Sequence, residues 1–143
     1  MTISSNTLQR VTCALNAKAI VHTELIQPLW SGYGELFRAS LSGSSRPSVI
    51  VKHIKLPQPS SHPRGWTGEF SHQRKLRSYE IEVNWYRDYA NVLYQAGSGA
   101  DQRCSMPKCL HVEQSSDDIL LVLEDLATLG FDRIVEQPNL AEI

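Results

Sequence analysis

The stretch Ser48-Val49-Ile50-Val51-Lys52-His53-Ile54 decides how the rest of this chain is interpreted. A short, β-branched apolar run of this kind is typical of a buried or half-buried strand. A lysine within such a strand needs a partner, because an unpaired ammonium group is costly to bury. The sequence therefore predicts a strand over Val49–Leu56 whose Lys52 pairs with an acidic side chain elsewhere in the chain.

Upstream of this strand, two glycines stand two residues apart in the run Gly32, Tyr33 and Gly34, which predicts a tight turn. The residues on either side have β character, near Thr23–Leu29 and over Leu36–Leu41. Together they predict a strand–turn–strand hairpin that leads into the lysine strand. Glycine has no Cβ, so the backbone N–H groups of such a turn can approach a phosphate closely.

Downstream, a proline-rich loop leads into a predicted long helix that begins near Glu69 or Ser71 and ends near Ala96. Its apolar residues fall at helical spacing and predict the inward face. They are Ile81, Trp85, Tyr89, Val92 and Leu93. Glu82 is expected on the inward face of this helix, where it would hold Lys52 extended through an ion pair.

The remaining segments complete a fold of the α+β class. A short helix is predicted over Ser5–Ala19, and two further strands over Leu110–Glu113 and Ile119–Leu123. The expected architecture is a five-stranded, mostly antiparallel sheet with one long crossing helix. We divide the chain into a helical extension, residues 1–19, a main domain, residues 20–126, and a tail, residues 127–143.

Composition excludes several classes of partner. The chain has 143 residues, which suits one domain, and a formal net charge of −1, which gives no electrostatic case for binding nucleic acid or an anionic membrane. It has no apolar run of the about 20 residues that a membrane span needs and no signal-peptide pattern at its start. The three cysteines, Cys13, Cys104 and Cys109, predict free thiols in a reducing compartment and no metal site. We therefore expect a cytoplasmic location.

Four segments together resemble the choline-kinase-like and aminoglycoside-phosphotransferase-like family of small-molecule kinases. They are Trp30–Leu41, Val49–Lys52, Lys75–Tyr86 and Leu121–Leu126. The more specific parts are the helix motif E-x-x-W-Y, which begins at Glu82, and the strand exit L-V-L-E-D-L. The resemblance covers nearly the whole chain and implies the nucleotide-binding N-terminal lobe of a protein-kinase-like fold.

By this resemblance, the chain carries residues that would bind ATP. Lys52 would match the nucleotide lysine and Glu82 its helix partner. The other candidate residues would line the adenine pocket, bind adenine through the backbone, or form the glycine turn. They are Ile50, Leu123, Glu124, Leu126, Gly32, Tyr33 and Gly34. The resemblance implies ATP and Mg²⁺ as cofactors, and a small alcohol such as choline, ethanolamine or an aminoglycoside as the acceptor.

The sequence departs from this family in two ways. The glycine turn is S-G-Y-G-E and lacks the full G-x-G-x-x-G pattern. The family's catalytic aspartate, in a His-Gly-Asp-type loop, and its Mg²⁺-binding aspartate belong to a second lobe, and no histidine follows His111 here. We therefore expect no catalytic residue in this chain. It would be the N-terminal lobe of a longer enzyme, with its metal ligands in the other lobe, and inactive alone.

Two alternatives remain open at this point. The chain could be a non-enzymatic α+β interaction module that has the lobe's shape and dimerises through the face a second lobe would cover. It could also be an unrelated α+β domain with a chance lysine in a strand. For an N-terminal lobe without its partner lobe, bare apolar surface around Ile50, Leu123, Leu126 and Phe131 predicts self-association as a two-fold dimer. The alternative is a monomer whose tail, Gly130–Ile143, folds back over the same surface.

Overall fold

The computed structural model of the protein describes residues 3–29, 32–56, 67–90, 92 and 106–133. Within these ranges the elements follow in the order α1 (Ser5–Ala14), β1 (Ala19–Pro28), β2 (Gly34–Ser42), β3 (Ser48–Lys55), α2 (Thr67–Asn84), β4 (Cys109–Gln114) and β5 (Asp118–Glu124). A π-helical turn, Trp85–Ala90, continues α2, and a 3₁₀ helix, Leu126–Leu129, follows β5.

The five strands form one sheet in the order β1-β2-β3-β5-β4, and every neighbouring pair is antiparallel. The lysine strand β3 lies at the centre, where Lys52 stands opposite Leu36 of β2 and Leu121 of β5. β1 is an edge strand and ends at Pro28, a position where the missing N–H of proline is tolerated. The predicted α+β architecture is confirmed.

Alternation along β3 divides its side chains between the two faces of the sheet. Val49 and Val51 face α1, where they pack against Val11. The rest of this first core comes from β2 and β5: Phe37, Ala39, Leu120 and Val122. The second core lies between the sheet and α2 and joins Ile54, Val83, Ile119 and Leu121. The side chains of Lys52 and Ile50 lie on the same face of the sheet as this second core.

The predicted inward face of α2 is wrong. Ile81, Tyr89 and Val92 are 59%, 61% and 61% exposed, and Trp85 is 38% exposed. Val83 is fully buried instead, with Tyr79 and Tyr86 packed around the same core. The apolar residues that looked like a core stripe therefore lie on the outer side of the helix. The fifth member of that stripe, Leu93, and the predicted helix end at Ala96 lie outside the described residues.

Helix α1 ends at Ala14, earlier than the predicted Ala19, because the chain turns there to start β1. Asn16 takes a positive φ of 49° in this turn, a conformation that asparagine tolerates better than most residues. At the other end, the Ser4 hydroxyl accepts a hydrogen bond from the N–H of Thr7 at 3.1 Å and caps the helix.

Candidate functional site

The expected ion pair between β3 and α2 is present. Lys52 Nζ lies 2.8 Å from Oε1 and 2.6 Å from Oε2 of Glu82, so it contacts both carboxylate oxygens. The two side chains are 18% and 27% exposed, which places the pair at the rim of the second core. The ammonium group also lies 5.5 Å from the centre of the Tyr79 ring. Lys52 is therefore held extended, with one side open to solvent.

The position of Glu82 follows from the packing of its neighbour. Val83 is buried against Ile54 and Leu121, which fixes the rotation of α2 over the sheet. Because adjacent helical residues are about 100° apart, Glu82 is turned toward β3 while Ile81 faces solvent. Glu82 therefore lies where the sequence predicts it, whereas its predicted neighbours on the buried face, Ile81 and Trp85, are exposed.

The glycine turn is fixed to the end of β3. Gly34 has a φ of 137°, and a Cβ there would overlap the carbonyl oxygen of His53. The N–H of Lys55 donates to the carbonyl of Tyr33 at 2.6 Å, and the N–H of Leu29 donates to that of Gly34 at 2.8 Å. Gly32 has a φ of 74° with open space around it. Only Gly34 is required both by its backbone conformation and by close approach.

The ring of Tyr33 is buried beneath the turn and is 2% exposed. Its hydroxyl hydrogen-bonds His72 Nδ1, and its ring lies 6.2 Å from that of Tyr79 and 5.0 Å from Lys75 Nζ. Burial raises the pKa of Tyr33, so the phenol stays protonated at neutral pH. Tyr33 therefore supports the turn from below, and its contacts run through Tyr79 to Lys52.

The apolar candidates lie on the same face of the sheet as Lys52. Ile50 and Leu123 are directly opposite each other in the β3–β5 register. Leu123 is 7% exposed and Ile50 is half-buried, so the expected bare patch around them is smaller than predicted. Leu126 is half-buried as well, and only Phe131 of that set is exposed, at 52%.

The strand exit, Glu124–Leu126, turns both of its acidic side chains toward arginines. Arg46 Nη1 donates to Glu124 Oε1 at 2.8 Å, and Arg38 Nε donates to Asp125 Oδ2 at 2.7 Å. By sequence alone these two acids read as an ordinary polar strand end, whereas Asp125 is 3% exposed. Within the described residues, the N–H of Leu126 has no hydrogen-bond acceptor. The N–H of Leu126 is thus the backbone group of the exit that the described residues leave to a ligand.

The charge state of Asp125 is set by opposing effects. Burial raises the pKa of its carboxyl, but hydrogen bonds from Arg38, Ser48 and the N–H of Ala127 outweigh burial, and the net pKa lies below its usual value. The hydrogen bond to Asp125 in turn raises the pKa of Arg38. The carboxylate is therefore ionised and paired at neutral pH.

The opposite face of the sheet holds a polar network that the sequence analysis missed. His53, 1% exposed, lies 3.3 Å from Thr7 Oγ1 through Nδ1 and 2.8 Å from Asp118 Oδ2 through Nε2. Arg10 Nη2 donates to Asp118 at 2.7 Å, and Arg10 Nε donates to Glu113 at 2.8 Å. The partners of His53 are 46 and 65 residues away in sequence, so no local pattern reveals them. This network fastens α1 to the sheet.

The described residues include neither a metal-binding cluster nor a membrane-spanning helix. They contain no cluster of three or more His, Cys, Asp or Glu side chains that could hold a metal ion. In the same ranges, no helix is both long enough and apolar enough to cross a membrane. Cys13 is exposed and Cys109 is buried, both as free thiols, and Cys104 lies outside the described residues.

The family comparison matches most of the chain. The model of the ecdysteroid kinase-like family matches residues 36–142. The chain belongs to this family. Ecdysteroid kinase-like proteins are related to the choline-kinase-like small-molecule kinases, so the predicted resemblance is confirmed. No curated protein and no solved structure matches the chain significantly.

The matched span includes most of the candidate residues of this ecdysteroid kinase-like chain. It covers β2 to β5 and therefore the Lys52–Glu82 pair, Ile50 and the strand exit. The glycine turn, Gly32–Gly34, lies before the match begins. The matched span therefore includes the lysine, the helix glutamate and the exit segment but not the turn.

Proposed function

We propose that this chain binds ATP on the α2-facing surface of its sheet and forms the nucleotide-binding part of a small-molecule kinase. The observation that carries the proposal is the Lys52–Glu82 pair, with Nζ–O distances of 2.8 and 2.6 Å. A kinase-like fold uses such a pair to hold a lysine against nucleotide phosphates. Membership of a kinase-like family supports the same function.

The phosphate side of the proposed site consists of Lys52, Glu82 and the glycine turn. Lys52 would neutralise phosphate charge as a point cation, and it is already extended at the rim of the core. Glu82 would keep it extended, so that little side-chain entropy is lost when phosphate binds. Gly32 leaves space around the turn that a larger residue would reduce.

The adenine side of the proposed site consists of the opposed pair Ile50 and Leu123 together with the strand exit. The two aliphatic side chains would contact the face of the base. The carbonyl of Glu124 would accept a hydrogen bond from the amino group of adenine, and the N–H of Leu126 would donate to a ring nitrogen. The unsatisfied N–H of Leu126 within the described residues fits this role.

The chemistry that ATP would supply is transfer of its γ-phosphate to an alcohol, with Mg²⁺ neutralising the phosphate oxygens. The family name refers to ecdysteroids, which are hydroxylated steroids, so an alcohol acceptor is consistent with it. The sequence contains no His-Gly-Asp-type loop. We therefore expect the 143-residue chain to bind nucleotide without turning it over.

The test is a titration of the chain with ATP and Mg²⁺, followed by nuclear magnetic resonance or calorimetry. We expect a dissociation constant of the order of millimolar or weaker, about 4 kcal/mol or less of binding free energy. Lys52→Met should weaken binding at least about fivefold, because it removes a charge-assisted contact to phosphate.

The matched control is Lys55→Met, three residues along the same strand, where the side chain is exposed and alternates to the opposite face. Equal affinities for ATP in Lys52→Met, Lys55→Met and the unmodified chain would contradict the proposed function. Because Lys52→Met leaves Glu82 partly buried without its partner, circular dichroism must first show that this variant is folded.

A further inference from the structure

Several hydrogen bonds hold the side chain of Asp125 in one position, although the proposed adenine site uses only the backbone of its two neighbours. It is 3% exposed and accepts hydrogen bonds from Arg38 Nε at 2.7 Å, Ser48 Oγ at 2.6 Å and the N–H of Ala127 at 3.1 Å. Arg38 Nη2 adds a longer contact at 3.5 Å. A buried carboxylate with this many donors specifies one position of the chain more than it adds stability.

Arg38 links Asp125 to the edge strand β1 through hydrogen bonds at both ends of its guanidinium group. It lies on β2, and its Nη1 donates to Glu24 of β1 at 2.7 Å while its Nε holds Asp125. Ser48 opens β3 and holds the same carboxylate oxygen. The segment after β5 is therefore tied to three other strands at once. We refer to Arg38, Ser48 and Asp125 as the hinge brace.

The brace fixes the backbone groups of the strand exit. Asp125 stands between Glu124 and Leu126, the two residues whose backbone would meet adenine, and its carboxylate also caps the 3₁₀ helix that begins at Leu126. Arg46 draws the Glu124 side chain aside at 2.8 Å. Both acidic side chains are thus paired with arginine, which neutralises their charge beside the proposed adenine site.

We propose that Arg38 and Asp125 are positioning residues that determine the preference of this chain for adenine over other bases. The proposal rests on the proposed function, because it concerns the same nucleotide. A fixed carbonyl followed by a fixed N–H matches the amino group and ring nitrogen of adenine. Hypoxanthine presents the reverse pattern, an oxygen acceptor and an N–H donor, and would leave both backbone groups mispaired.

The experiment compares three ligands, ATP, inosine triphosphate and tripolyphosphate, by titration of the chain followed by nuclear magnetic resonance. In Asp125→Asn and Arg38→Met, we expect the dissociation constant for ATP to rise about threefold to tenfold, the worth of one hydrogen bond. The ratio of ATP to inosine triphosphate affinity should fall toward one. Affinity for tripolyphosphate, which has no base, should not change.

Two further variants separate positioning from a general loss of structure. Arg10→Met is the matched control, since Arg10 also pairs with two carboxylates but lies on the α1 face, and it should leave the base preference unchanged. Arg38→Lys keeps the positive charge and should retain part of the preference. It also serves as the test variant if Asp125→Asn does not fold.

The outcomes distinguish this inference from the proposed function. If the unmodified chain prefers ATP and the folded Asp125→Asn and Arg38→Lys variants keep the same preference, the hinge brace has no role in base selection while the proposed function stands. If the unmodified chain binds tripolyphosphate as tightly as ATP, the adenine part of the proposed function fails and the inference fails with it.

Discussion

Replacing Gly34 by alanine should destabilise the protein much more than the same change at Gly32. Gly34 has a φ of 137°, and a Cβ there would overlap the His53 carbonyl oxygen. The disfavoured backbone costs about 1–3 kcal/mol. Relieving the overlap would move the turn from β3 and weaken the hydrogen bond from the N–H of Lys55 to the Tyr33 carbonyl, worth about 1 kcal/mol. The loss should total about 3 kcal/mol.

Gly32→Ala is the matched control within the same turn. Its φ is 74° and nothing lies within 4 Å of an added Cβ, so only the left-handed backbone term of about 1–2 kcal/mol applies. The reduced entropy of the unfolded chain returns about 0.4–1 kcal/mol in both variants. Urea unfolding at neutral pH, followed by circular dichroism, measures the difference, which should be about 1.5 kcal/mol. Equal losses would show that contact between Gly34 and β3 does not constrain the turn.

Three other predictions test the packing, the polar network and the exposed surface. Val83→Ala should lower the free energy of unfolding by about 2 kcal/mol, whereas the outward-facing Ile81→Ala should change it by less than about 0.5 kcal/mol. Equal effects of the two variants in urea unfolding would contradict the observed orientation of α2 and favour the face predicted from the sequence. Burial raises the pKa of Asp118, but hydrogen bonds from Arg10 and His53 outweigh it and the net pKa is lowered. Because the folded-state pKa is lowered, the ionised carboxylate stabilises the protein above the ordinary carboxyl pKa of about 4, and this stabilisation is lost as the pH falls through the folded-state value. Arg10→Met should therefore flatten the acid limb of a stability–pH curve. An unchanged acid limb would contradict this. We expect self-association through the surface that includes Phe131, which is 52% exposed. Sedimentation over a concentration series should show a dimer that Phe131→Glu weakens. A monomer at every concentration would refute the predicted self-association.

The central strand and its ion pair could be predicted because they depend on local patterns and chain order. A β-branched apolar run is typical of a strand, and its single lysine, Lys52, then needs an acidic partner from another element. Glu82 supplied it, as expected. The α+β architecture followed from the same succession of strands around one long helix.

The face of α2 could not be predicted correctly, since its exposed residues form the clearer pattern. Ile81, Trp85 and Tyr89 recur every four residues, yet they lie outside the core. The face that packs mixes Val83 with tyrosines and with Glu82, so it has little apolar contrast. Hydrophobic periodicity alone favours the wrong side in such a helix.

Contacts between residues far apart in the chain also could not be predicted from the sequence. Arg38 and Asp125 are 87 residues apart, and Thr7 and His53 are 46 apart. Their meeting depends on the strand order and on the register between β3 and β5, in which a slip of one residue would turn each side chain to the other face. Before the register is known, Asp125 is indistinguishable from a solvated strand end.

Mapping of amide chemical shifts during an ATP titration tests the central claim most directly, because it locates the ligand. We expect shifts centred on the backbone amides of Ile50, Lys52 and Leu126, on the α2-facing side of the sheet. Amides of α1, such as that of Val11, should not move, since α1 packs on the opposite face. Shifts centred on α1, with none at Ile50, Lys52 and Leu126, would contradict the assignment of this surface as a nucleotide site.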